Sequence, residues 1–179
     1  MSTRKDTLAT DVARIVRDVP DFPKPGILFK DITTILLDGP LYGRLVDYLC
    51  DVVEESGATV VAGIESRGYL FGAPVAARLG LPLALIRKPG KLPWKTRKAS
   101  YSLEYGTDSV EMHEDAVQPG SKVVVMDDLL ATGGTMEAAC RLVRELGGEV
   151  VLASFVIELS FLDGRKRLGD TPVDALVVY

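Results

Sequence analysis

Val123-Val124-Val125-Met126 is an apolar, mostly β-branched run that leads into two acids, Asp127 and Asp128, and then into Leu129-Leu130-Ala131-Thr132-Gly133-Gly134-Thr135. Glycines let a backbone wrap closely around an anion. The amides at the start of a helix point at that anion, and the helix dipole favours it. Thr132 and Thr135 add hydroxyl donors. The loop Ala131–Thr135 therefore reads as a phosphate cradle. It is not the nucleotide P-loop, because no lysine follows the glycines. The two acids just ahead would repel a phosphate. They suit neutral hydroxyls, or a magnesium-bound water, a sugar's width away. Phosphate beside a diol is the chemistry of a ribose phosphate. A glycine-rich turn with an aspartate helix cap is the plainer alternative, and the double acid with Thr-Gly-Gly-Thr weighs against it.

Two more loops carry unusual residues. Gly63-Ile64-Glu65-Ser66-Arg67-Gly68 is close to the hydrolase nucleophile elbow G-x-S-x-G, but Ile64 stands where the first glycine must be. The single histidine, His113, lies on a short predicted strand and reads as a packing or surface residue, so Ser-His-Asp catalysis is disfavoured. Arg67, at a strand end, reads as an anion contact; a surface salt bridge is the alternative. Arg87 to Lys98 holds six cations and no acid, although the whole chain nets −4. A charge run is usually a solvated face. Leaving a strand end beside a phosphate cradle, this one reads as a mobile lid over a polyanion such as pyrophosphate.

Alternating elements must position these loops. Leu8, Val12, Ile15, Val16 and Val19 predict an amphipathic first helix stopped before Pro20, and Asp21–Gly26 is too proline-rich for regular structure. Leu41, Leu45, Tyr48, Leu49 and Val52 predict a second helix, with Pro40 in its first turn and Gly57 after its end. Strands are expected at Thr59–Ile64, Leu83–Ile86, Lys122–Met126, Glu149–Leu159 and Val173–Val178. Helices are expected from near Pro74 to Gly80 and along Met136, Ala139, Cys140, Val143 and Leu146. Tyr101–Glu104 and Val110–His113 are expected to pair as short strands around Gly106. Strand–helix repetition implies an α/β fold, a parallel sheet flanked by helices. With 179 residues, a single domain is expected over 1–179.

The totals exclude several classes. An acidic chain is a poor general binder of nucleic acid. Cys50 and Cys140 are far apart and offer neither a disulfide framework nor a zinc site. The longest apolar stretch, Val150 to Ile157, is too short to span a bilayer, and no apolar segment follows the first cations, so the cytoplasm is the expected location.

The stretch Val123–Thr135 resembles the signature of the type I phosphoribosyltransferases, which bind phosphoribosyl pyrophosphate. The finer resemblance is to their adenine-using branch. It rests on Asp21–Ile32, Glu65–Gly72, Ile86–Pro93, Ser102–Gly106 and Asp127–Thr135, which occur in family order. The resemblance implies transfer of the phosphoribosyl group to adenine, giving AMP and pyrophosphate in purine salvage. It implies Mg2+ carried mainly by phosphoribosyl pyrophosphate, and a homodimer. It assigns Ala131, Thr132, Gly133, Gly134 and Thr135 to the 5-phosphate and Asp127 and Asp128 to the ribose hydroxyls. Arg67, Arg87 and Lys91 are assigned to pyrophosphate, with Arg87 reaching that of the partner subunit. It implies a cis Glu65–Ser66 peptide. It further implies a hood over adenine at about residues 20–35, where the backbone of Leu28 and Lys30 reads the base, and a lid at about 88–106. In hypoxanthine-guanine relatives an acid stands at the position of Ala131. Here the base that takes the purine proton must come from elsewhere, and Glu104 is the candidate. A non-catalytic sensor of phosphoribosyl pyrophosphate, or an enzyme of the same fold using a 6-oxo purine, orotate or uracil, remains an alternative.

Overall fold

The computed structural model describes residues 2–102 and 107–179. Two compact units are distinguished, residues 1–48 and 49–179. In the first, helix α1 (Ser2–Ile15) buries Leu8 and Val12. Strands β1 (Arg17–Pro20) and β2 (Leu28–Asp31) then form an antiparallel hairpin. The sequence reading ran α1 on to Pro20. The helix stops at Ile15 because the following residues have distant partners: Arg17 faces Asp31 and Asp18 faces Lys30 across the ladder, each an opposite-charge pair. Pro20 closes the strand, where a missing N–H interrupts least. The connecting segment is irregular, as its prolines require. It has a cis Phe22–Pro23 peptide, and Asp21 Oδ1 accepts the Gly26 N–H at 2.8 Å. A short helix, α2 (Thr33–Leu37), follows and was not legible in the sequence. Helix α3 (Gly39–Ser56) keeps its expected bounds, with Pro40 in the first turn and Gly57 beyond the end.

The second unit is built on strands β3 (Val60–Ile64), β4 (Leu83–Ile86), β7 (Lys122–Leu130), β8 (Glu149–Glu158) and β9 (Val173–Val178). They form one all-parallel sheet in the order β4-β3-β7-β8-β9. Val60, Ala62 and Ile64 of β3 and Val123 and Val125 of β7 share a core with Met136, Ala139, Cys140 and Val143 of helix α5 (Gly134–Glu145). Helix α4 (Gly68–Leu79) lies over the other face, with Gly72 against Val61. Both faces are thus covered, which is why β3 is buried throughout.

Three expectations are corrected. Helix α4 opens at Gly68, and Pro74 lies inside it. An internal proline removes one backbone hydrogen bond, and the burial of Phe71, Val75 and Ala76 offsets that loss. Strand β7 runs on past Met126 to Leu130, because β8 continues to pair with it up to Leu130↔Glu158; Asp127 and Asp128 are strand residues. Finally, the cation-rich stretch is only partly a loop. Thr96–Ser102 is strand β5, paired with β6 (Thr107–His113) in an antiparallel ribbon whose Ala99, Val110 and Met112 join the core. The expected pairing of Tyr101–Glu104 with Val110–His113 is corrected in register: Val110–His113 pair with Thr96–Ala99, and Tyr101 faces Asp108; Leu103 and Glu104 lie outside the described residues.

Candidate active site

After β3 the chain moves to β4 on one side of the sheet, and it later returns to β7 on the other side. Adjacent parallel strands whose connections diverge leave a crevice at their carboxyl ends. A cleft of about 380 Å³ lies there, lined by Ile64–Arg67, Lys88, Asp127–Met136 and Phe155.

One wall is the loop Ala131–Thr135. Gly133 has φ +82, a left-handed conformation that side chains rarely adopt, and its carbonyl accepts the Glu137 N–H at 2.9 Å to start α5. The first-turn amides of any helix have no partner inside it, so the start of α5 presents N–H donors to the cleft. Gly133, Gly134 and Met136 are buried and Thr132 is exposed.

The floor is acidic. Asp128 is only 2% exposed, and its Oδ2 lies 2.7 Å from Arg67 Nε. The contact is off the N–H direction, so this buried oxygen accepts no hydrogen bond. Asp127 Oδ1 accepts the Asp128 N–H at 2.9 Å. Burial, and then the neighbouring Asp128 charge, push the Asp127 carboxyl well above the usual carboxylate range, against the pull of Arg67. Among the described residues no group of three or more His, Cys, Asp or Glu side chains could hold a metal. Two adjoining carboxylates at the edge of the cleft fit sugar hydroxyls, or a magnesium ion that brings phosphate and water ligands of its own.

A group whose pKa is raised on folding binds its proton more tightly in the native state. Its contribution is complete below the unfolded value of about 3.9 and is lost as pH rises through the raised value. Asp127→Asn removes that loss. The variant should melt above the wild type at pH 7–8, by about 2–4 °C for each kcal/mol relieved, and the two melting temperatures should converge towards pH 4. Parallel melting curves across this range would contradict the burial argument.

The cations are anchored by acids. The Glu65–Ser66 peptide is cis, as expected. Glu65 accepts from Lys91 Nζ at 2.8 Å, from the Lys88 N–H at 3.0 Å and from Arg87 Nε at 3.3 Å. Led by the Lys91 bond, these hold its carboxyl down at about 2. Lys88 bonds Tyr101 Oη at 3.1 Å and also pairs with Asp108 on the ribbon. Burial depresses Lys88, but Asp108 and Tyr101 outweigh it and raise its pKa. The structure thus gathers Arg67, Asp127, Asp128 and Ala131–Thr135 in one cleft, with Arg87 and Lys91 tied to Glu65 in its wall. Leu28 and Lys30 lie on β2 of the first unit, where Leu28 is exposed and Lys30 pairs with Asp18. Glu104 lies outside the described residues. The Lys88–Tyr101–Asp108 cluster was missed in the sequence. The β5–β6 register, which sets Tyr101 opposite Asp108, is the signal that reveals it.

The phosphoribosyl transferase domain model matches residues 34–175. An adenine phosphoribosyltransferase of Brevibacillus brevis is 51% identical over 94% of this chain and 99% of its own length. The chain belongs to the adenine phosphoribosyltransferase family. It is an enzyme of pentosyl transfer, and its fold is that of the type I phosphoribosyltransferases. The crystal structure of the Thermoanaerobacter pseudethanolicus adenine phosphoribosyltransferase superposes with a TM-score of 0.93 at 47% identity, covering 96% of this chain and 99% of that one. The Saccharomyces cerevisiae adenine phosphoribosyltransferase, solved in complex with an imino-altritol bisphosphate and adenine, gives 0.91 at 38% identity over 96% of this chain and 99% of that one.

Proposed function

We propose that the cleft transfers the phosphoribosyl group of phosphoribosyl pyrophosphate to N9 of adenine, giving AMP and pyrophosphate. The observation that carries this reading is the meeting, in one cleft, of an amide-rich helix start, two adjoining carboxylates and anchored cations. Ala131–Thr135 hold the 5-phosphate. Asp127 and Asp128 face the ribose hydroxyls, with the Arg67 guanidinium paired to the buried Asp128 carboxylate. Asp127 lies beside it in the cleft wall, its Oδ1 taking the Asp128 N–H. Arg67, Arg87 and Lys91 bind pyrophosphate, with Arg87 serving the partner's site in a homodimer.

The C1–oxygen bond breaks as adenine N9 forms the new bond. The ring carbon becomes cation-like and the leaving pyrophosphate gains charge, which the arginines and lysines stabilise. Mg2+ bound through the substrate supplies further neutralisation of that charge. The N7 proton of adenine passes to the carboxylate of Glu104. The hood at about 20–35 reads the adenine edge through the backbone of Leu28 and Lys30. Of the lid expected at about 88–106, the part before β5 is what can close over the cleft, since Ala99 and Tyr101 are packed in the core. Among the described residues no helix is long and apolar enough to cross a membrane, and we place the enzyme in the cytoplasm as one catalytic domain.

The test is nucleotide formation from phosphoribosyl pyrophosphate and Mg2+ with adenine, hypoxanthine, guanine, orotate or uracil in turn. Adenine alone should turn over. Turnover of another base would sink the hood assignment while keeping the phosphate site. Tight binding of phosphoribosyl pyrophosphate with no turnover of any base would sink the enzymatic reading.

A further inference from the structure

We propose that Gly164 is a positioning residue for the phosphate loop, and that the segment after β8 is the brace that holds that loop in its binding shape. The inference rests on the reading of Ala131–Thr135 as the 5-phosphate cradle. The backbones of the two segments touch. A Cβ on Gly164 would lie well inside van der Waals contact of the Ala131 carbonyl oxygen, and 2.9 Å from Leu130 Cδ1. Reciprocally, a Cβ on Gly133 would lie 2.5 Å from the Gly164 carbonyl oxygen. The loop is all small residues from Ala131 to Gly134 and has little side-chain packing to define its own path. Something outside it must do so, and Gly164 is the backbone lying against it.

Gly164 is itself firmly held. The next residue, Arg165, forks onto Glu158, with Nε 2.7 Å and 2.8 Å from the two carboxylate oxygens and Nη2 at 2.6 Å. Its Nη1 reaches the Val173 carbonyl at 3.2 Å. Glu158 is the last residue of β8 and is 5% exposed, so a buried carboxylate is held by a guanidinium that is itself half exposed. Between them, the Leu159 N–H donates to the Leu130 carbonyl at 2.9 Å. The Ser160 N–H and Oγ donate to the Tyr179 carbonyl at 2.9 Å and 2.7 Å. Leu168, at the end of the short helix α6 (Gly164–Leu168), is buried in the core. The segment is thus fastened to the ends of β7, β8 and β9, and it transmits their position to the loop.

Gly164→Ala must push Ala131 away, since that contact is with a backbone carbonyl that cannot swing aside, and it also crowds the Leu130 side chain. A displacement of that kind at a binding loop costs about 10-fold or more. It alters phosphate binding equally before and during the reaction, so it should raise KM and leave kcat close to wild type. The measurement is calorimetric titration with ribose 5-phosphate and, separately, with magnesium pyrophosphate, alongside KM and kcat for phosphoribosyl pyrophosphate. The expected result is about 10-fold weaker ribose 5-phosphate and an equal rise in KM, with pyrophosphate affinity unchanged. Undiminished ribose 5-phosphate affinity would overturn the brace, and so would an equal loss for both ligands. Should the alanine variant not fold, the double variant Glu158→Gln, Arg165→Met removes the clamp without adding bulk or leaving a buried charge. It should show the same selective loss, and an unselective one would again overturn the proposal. Failure of the wild type to bind ribose 5-phosphate would overturn the cradle reading, and the brace with it.

Discussion

Gly133→Asp should weaken binding of phosphoribosyl pyrophosphate by at least about 100-fold while leaving the domain folded. Three effects act together at this position. The residue sits at φ +82, where a side chain costs about 1–2 kcal/mol. Its Cβ would stand 2.5 Å from the Gly164 carbonyl oxygen, so the loop must open. The new carboxylate would then lie at the start of α5, where the helix dipole and first-turn amides are needed for the phosphate. The fold should persist because α5 is anchored further along, by buried Ala139, Cys140 and Val143. Calorimetric titration with phosphoribosyl pyrophosphate, read beside a thermal melt, checks both halves. Gly133→Ala separates shape from charge, since it keeps the first two effects and lacks the third. Retained affinity in the aspartate variant would contradict the cradle assignment.

How much of this was legible in the sequence follows from how local each signal is. The phosphate loop was readable because strand, acids, glycines and helix are contiguous, and Gly133 and the start of α5 fell where expected. The parallel sheet was readable from apolar runs of strand length. What escaped depends on partners far away in the chain. Val16 and Val19 fit a helical stripe, yet β1 pairs with β2 through Asp18 and Lys30, a pairing across the proline-rich turn that no periodicity marks. Arg87 and Lys91 announced themselves as anion ligands, but their common partner Glu65 lies on the other side of a whole helix. The strand character of Thr96–Ser102 was masked by its cations, which a two-stranded ribbon tolerates on its exposed side. Gly164 carries no motif at all. Only its approach to the phosphate loop marks it, and that approach is set by the ends of three strands.

Glu104→Leu should lower kcat by about 100- to 10,000-fold, the usual span for a lost general base, with affinity for phosphoribosyl pyrophosphate within about threefold of wild type, a difference small beside the energy of one good hydrogen bond. Among the described residues, the cleft itself offers no base for the purine proton. Ala131 has no carboxylate to offer, Asp127 and Asp128 are engaged with each other and with Arg67, and Glu65 is held by Lys91, Arg87 and Lys88 at about 2, too weak a base for a purine proton. His113 is not an alternative: it stands on β6 with Nε2 buried, its ring edge-on to Trp94 at 6.3 Å. Glu104 belongs to the residues joining Ser102 to Thr107, one step of the ladder beyond Tyr101↔Asp108. Lys88, which lines the cleft, bonds both Tyr101 and Asp108, so the ribbon is tied to the site just before that connection. In the proposed reaction Glu104 serves the N7 proton and the 5-phosphate is held by other residues, which is why turnover should fall and binding should not. Glu104→Gln keeps the hydrogen bond that orients N7 but cannot take the proton, so it should recover part of the adenine affinity and little of the rate. Single-turnover measurements with saturating phosphoribosyl pyrophosphate distinguish the two variants. Wild-type rates in either would remove Glu104 from the chemistry and require a base from another part of the chain.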